Sequence, residues 1–139
     1  MSSQAELQRL LVEYEYLRRL LEAIQGQLEL LNATRARLLR SREALEEIKK
    51  QKPGDALLAP LGVGVFLHAR LERVDRVVVD IGSGYYLEKS PDEAIKYLDE
   101  RIAEIDEAMR RLQLEAGNVA KRLNEILPVL RSRLQEARS

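Results

Sequence analysis

Apolar residues recur at alternating spacings of three and four early in this chain: Leu7, Leu10, Tyr14, Leu17, Leu21, Ile24, Leu28 and Leu31. An a/d seam held over successive heptads commits the segment to a helix that must lie against another helix. A second seam answers it, through Ile95, Leu98, Ile102, Ile105, Met109, Leu112, Ala116, Val119, Leu123, Ile126 and Leu130. Ser90-Pro91-Asp92-Glu93 opens this second helix. Ser90 can cap, Pro91 suits the first helical position and Glu93 completes a capping box. Two helices of equal length with a compact link imply an antiparallel hairpin. Leu45 is then expected near Leu98, Leu28 near Leu112 and Ala116, and Leu10 near Leu130.

Beyond Leu31 the first seam can continue in two ways. The original register places Arg35, Arg42 and Lys49 inward. A register through Thr34, Leu38, Ser41, Leu45 and Ile48 keeps apolar residues inward but needs a stammer, which overwinds the coil. Both stay open. Pro128 predicts a kink or a fraying end just after Ile126. Gly26 and Gly117 fall at matching heights on outward positions and predict a soft point there.

The link between the helices changes character. Val65, Leu67, Ala69 and Leu71 alternate with Phe66, His68, Arg70 and Glu72, the period of a strand. Val77–Ile81 and Tyr85–Glu88 read as strands joined by the tight turn Gly82-Ser83-Gly84. An earlier strand, Ala56–Leu61, contains Pro60 and belongs at an edge or an end. Four short strands in two hairpins result. The domain reading is one domain over residues 1–139, with helices at 5–51 and 90–137 and the hairpin region at 53–89.

Composition narrows function. Twenty-three basic residues balance twenty-three acidic ones, so the basic excess of a nucleic-acid binder is missing. No Cys is present and only one His, which removes disulfides, thiolate metal sites and most imidazole chemistry. The polar start, Met1 to Glu6, predicts no signal peptide, and the apolar run Ala56–Leu67 is too short for a membrane span. A cytoplasmic protein without a membrane partner is expected.

Gly62-Val63-Gly64 and Gly82-Ser83-Gly84 lack the Gly-Lys-Ser/Thr and helix start of a phosphate loop, and read as turns and bulges. His68, with Arg70 beside it, reads as a strand histidine. Acidic pairs such as Glu46-Glu47 and Glu104 with Glu107 read as solvated helix faces. No catalytic residue, cofactor or metal ligand is predicted, and the chain reads as a non-enzyme.

The block Pro60-Leu61-Gly62-Val63-Gly64-Val65-Phe66, then Val79-Asp80-Ile81-Gly82-Ser83-Gly84-Tyr85-Tyr86 and Glu88-Lys89 before Glu93-Ala94, resembles the alpha class of prefoldin subunits. The resemblance covers essentially the whole chain, and two hairpins favour alpha over the single-hairpin beta class. It implies an α+β fold, a long antiparallel coiled-coil hairpin joined by two β-hairpins that assemble with other subunits into a β-barrel body. It further implies an ATP-independent holdase, two alpha with four beta subunits, that holds non-native clients at the arm tips and passes them to a group II chaperonin. A filament-forming architectural relative is the alternative, and an RNA-binding coiled-coil arm a weaker one.

On this reading client contact falls to Leu7, Leu10, Leu11 and Val12 on the first helix and Ile126, Leu127, Val129 and Leu130 on the second. Leu7, Leu10 and Leu130 also close the seam, whereas Leu11, Val12, Leu127 and Val129 do not fit it. Assembly falls to Leu61, Val65, Leu67, Leu71, Val77, Val79, Ile81, Tyr85 and Leu87.

Overall fold

The computed structural model describes residues 3–138; residues 1, 2 and 139 of the expected domain lie outside the described residues. The element order is α1 (Ser3–Ile48), β1 (Ala56–Gly62), β2 (Val65–Arg70), β3 (Val77–Gly82), β4 (Tyr85–Lys89) and α2 (Pro91–Arg138). The chain divides into two compact units. One is all-helical, α1 up to Thr34 with α2 from Ile105; the other is mixed, Arg35–Glu104.

In the all-helical unit the heptad residues fill the seam as their spacing requires. Ile24, Val119, Ile126 and Leu130 are buried, and Leu7, Leu10, Tyr14, Leu17, Leu21, Leu28 and Leu31 are half-buried. Two ion pairs across the helices set the direction: Glu6 with Arg133 at 2.7 Å and Glu13 with Arg122 at 2.6 Å. Advancing along α1 means retreating along α2, so the pair is antiparallel. Pro128 neither ends α2 nor precedes a frayed tail, because the helix continues to Arg138. Proline forfeits one backbone bond and crowds the preceding turn. Here it lies on the exposed side, and the buried Ile126 and Leu130 hold the helix against α1 on either side of it.

In the mixed unit the two helices are antiparallel as well. Arg42 bonds Asp99 at 2.6 Å and Lys49 bonds Asp92 at 2.7 Å, a step of one heptad on each helix in opposite directions. The cations of the first register thus reach acids on α2, with Arg42 half-buried and Lys49 exposed, while Leu38, Leu45 and Ile48 of the second register are half-buried. Leu38, Ser41, Leu45 and Ile48 of the second register line, with Ala44, a groove of ≈ 390 Å³ that also takes in Val77 and Val79 of β3. The apolar pattern of α1 broadens here because the helix has two neighbours, α2 and the second hairpin.

At the start of α2, the Glu93 amide donates to Ser90 Oγ at 3.2 Å, and the Ser90 hydroxyl lies 3.1 Å from the Glu93 carboxylate. Pro91 begins the helix. The capping pattern read from the sequence is thus formed, with the hydroxyl taking the place of the backbone amide as the carboxylate's partner.

Each hairpin is a separate two-stranded antiparallel sheet. Both shift register just before their turns, between Pro60 and Gly62 and between Asp80 and Gly82, leaving Leu61 and Ile81 as the extra residues. Ser83 and Gly84 both have positive φ, 54° and 80°, the signature of the tight hairpin turn whose twist matches the strands. Asp80 Oδ1 accepts the Gly82 amide at 2.9 Å and braces that turn.

An added Cβ at Gly26 or Gly117 would meet nothing within 4 Å, and both glycines lie inside helices. Gly26→Ala with Gly117→Ala should therefore raise stability by about 2 kcal/mol, roughly 1 kcal/mol each. Hydrogen exchange should slow around both positions; unchanged exchange would remove the soft point inferred there.

Candidate interaction surfaces

A two-stranded sheet is marginal alone, and strands bring side chains to both faces. In the first hairpin, pairing places Leu57, Ala59, Leu67 and Ala69 on one face and Leu58, Pro60, Phe66 and His68 on the other. Leu67 on the first face and Leu58 and Phe66 on the second are all more than half exposed. In the second hairpin Val77, Val79 and Leu87 share a face, and Val78 and Tyr86 occupy the opposite one. Val77 and Val79 are half-buried along the groove described above, while Val78 and Tyr86 are exposed. Val63, at the tip of the first turn, is completely exposed.

Among the residues read from sequence as assembly contacts, Leu61, Val65, Leu67, Ile81, Tyr85 and Leu87 are exposed. Leu71 is half-buried, as are Val77 and Val79, which the chain's own helices partly cover. The sequence reading missed Leu58, Val63, Phe66, Val78 and Tyr86. Their signal was present: apolar residues interrupt the polar phase of each strand, which a sheet with one wet face does not need.

The second surface lies at the terminal end of the all-helical unit. Val12 is 70% exposed, Val129 42% and Leu11 38%. Leu7, Leu10 and Leu127 are half-buried. Ile126 and Leu130 are 2% and 4% exposed, so both serve the seam and offer no surface. Tyr16, at 64%, was missed. It lies one helical turn beyond Val12, a spacing that puts the two side by side. Leu134 is exposed as well.

Electrostatics hold this end together on one side. Arg122 donates two hydrogen bonds to Glu13, at 2.6 and 3.1 Å. That contact holds the Glu13 carboxyl below its ordinary range, against a smaller upward effect of desolvation. In the mixed unit, the hydrogen bond to Asp92 raises the Lys49 ammonium.

These features, a heptad hairpin and two glycine-turned β-hairpins, can be set beside known proteins. The family model described as prefoldin subunit matches residues 17–136. The chain belongs to the prefoldin family. Within it the relatives are of the alpha class. Prefoldin subunit alpha of Pyrococcus horikoshii is 38% identical over 124 residues, covering 87% of this chain and 82% of the relative. That of Thermococcus onnurineus is 40% identical over 102 residues, covering 71% and 68%. That of Methanococcoides burtonii is 30% identical over 125 residues, covering 90% and 91%. The fold is similar to a chain in the cryo-EM structure of filamentous PFD from Methanocaldococcus jannaschii. There the TM-score is 0.74 at 22% identity, over 84% of this chain and 96% of that one. As a prefoldin alpha-family chain, the protein is a chaperone subunit. No helix among its described residues is long and apolar enough to cross a membrane.

Because its pKa is lowered in the fold, Glu13 contributes stability that is complete above its ordinary value of 4.5 and is lost as pH falls through the lowered one. Glu13→Gln should lower the melting temperature of this prefoldin chain at pH 7, and the gap from wild type should close in acid. A gap that persists unchanged at pH about 3 would show that the carboxylate's charge is not what matters.

Proposed function

We propose that this chain is an ATP-independent holdase subunit that retains non-native proteins at the terminal end of its helix pair and passes them to a group II chaperonin. The observation that carries the reading is the outward display of Leu11, Val12, Tyr16 and Val129 at the terminal end of a helix pair whose Ile126 and Leu130 are buried. Each such side chain gains about 1.5–3 kcal/mol if a client buries it fully. Ordering both partners offsets much of that, so a single pair of helices holds weakly. Several of them around one client raise the effective concentration of the rest. Release then follows from fast dissociation of weak contacts, and no nucleotide or other cofactor enters.

The hairpins are the assembly elements in this proposal. Apolar side chains on both faces and unpaired strand edges suit burial in a barrel shared with other subunits. Beta-type prefoldin chains are the partners, two alpha with four beta, in the cytoplasm. The same free edges also support a second reading, in which copies of this chain join without closing and form a filament. An open interface gives filaments and a closed one a fixed small oligomer, so native mass of the chain alone and with a beta-type subunit separates the two.

Leu11→Ser, Val12→Ser and Val129→Ser together leave the buried Ile126 and Leu130 in place. The triple variant should assemble normally and lose most of its ability, without ATP, to suppress aggregation of a denatured model protein. Full protection by the assembled variant would place client binding elsewhere.

Phe66→Asp with Tyr86→Asp should keep the helical circular dichroism and lower the native mass, since burying unpaired carboxylates costs several kcal/mol, about 2 or more each. An unchanged mass would exclude these faces from the assembly.

A further inference from the structure

We infer that the segments held at the terminal end of the all-helical unit are extended aliphatic stretches flanked by acidic residues. The inference rests on the client-binding reading above and names the chemistry of what is bound. It begins with an asymmetry of the helix pair. The buried line Val119, Ile126 and Leu130 on α2 has two flanks. At 3.6 residues per turn, Arg122, Val129 and Arg133 fall on one, and Leu127, Arg131 and Leu134 on the other.

The first flank is closed by charge. Arg122 is bonded to Glu13 and Arg133 to Glu6. The second has no such closure: among the described residues Arg131 makes no ion pair, and it stands one turn from the half-buried Leu127 and less than a turn from the exposed Leu134. On α1, helical spacing puts Leu11 on the side away from Glu6 and Glu13, next to this open flank. By this spacing aliphatic side chains from both helices fall on the same flank as Arg131.

The balance of charge points the same way. The whole chain is neutral, yet α2 from Val119 to Arg138 carries five cations, Lys121, Arg122, Arg131, Arg133 and Arg138, against two carboxylates, Glu125 and Glu136. Two of those cations are taken by glutamates of α1, and Glu125 lies 3.4 Å from Arg122. Glu136 borders the same recess as Arg133, on the closed flank. No carboxylate of α2 therefore shares the open flank. Glu15 of α1, near Leu11, is accompanied by Arg19. A bound segment that brings its own carboxylate finds a partner at Arg131; one that brings a lysine meets like charge.

The test measures fluorescence anisotropy of unfolded peptides on the full-length protein in the assembly it forms. Three peptides share the same apolar residues and differ only in flanking Glu, Gln or Lys. An exposed ion pair predicts that the Glu-flanked peptide binds about two- to fivefold tighter than the Gln-flanked one, with the Lys-flanked one weakest. The order should collapse in about 1 M salt. Arg131→Glu should invert the Glu and Lys order, and Arg131→Gln should level it, both with unchanged circular dichroism and native mass. Equal binding of the three peptides, or an order that Arg131→Glu does not change, overturns the inference and leaves the client-binding reading standing. Binding of none of them removes both.

Discussion

The constraint on which the structure depends is that two helices can bury only the stripe along which they touch. Ile24, Val119, Ile126 and Leu130 in one unit and Ala94, Ile95, Leu98 and Ile102 in the other make up the buried apolar set. Everything else with apolar character has to remain exposed or find another surface. Hydrophobic gain is therefore confined to a narrow line, and direction and register are fixed by charge at its edges: Glu6 to Arg133, Glu13 to Arg122, Arg42 to Asp99 and Lys49 to Asp92. Exposed pairs of this kind add little stability each. Their role is to make other alignments of two repetitive helices worse.

The same shortage of burial explains the hairpins. Each has only two strands, and only the second borders the groove lined by both helices, through Val77 and Val79. Phe66, Leu58, Val78 and Tyr86 would be a liability on a chain that acted alone. On a chaperone subunit they are surplus that a neighbouring subunit can bury. The turns meanwhile set their geometry locally: the Asp80 carboxylate and the positive φ of Ser83 and Gly84 shape the turn of the second hairpin.

At the terminal end the design is lopsided. One flank of the helix pair is sealed by glutamate–arginine contacts, and the other carries leucines and Arg131, which makes no ion pair among the described residues. The ion pairs tie the two helices together on the closed flank, which also carries the exposed Val129.

Sequence alone determined the features governed by local rules. Heptad spacing gave the two helices, Ser90 to Glu93 gave the start of α2, and glycine spacing gave both turns, because each depends on residues within a few positions of one another. The prefoldin resemblance rested on the glycine-punctuated block, which is equally local. Tertiary structure decided what depends on a distant partner. The partners of Arg42 and Lys49, Asp99 and Asp92, lie on the other helix, beyond the reach of any local rule. Whether Pro128 broke α2 turned on Ile126 and Leu130 being held by α1. Of the residues read as tip contacts, Ile126 and Leu130 went to the seam while Val12 and Val129 stayed outside, and Tyr16 joined them unannounced. Spacing sets the angle at which a side chain leaves its helix; only the partner helix determines which angles are covered.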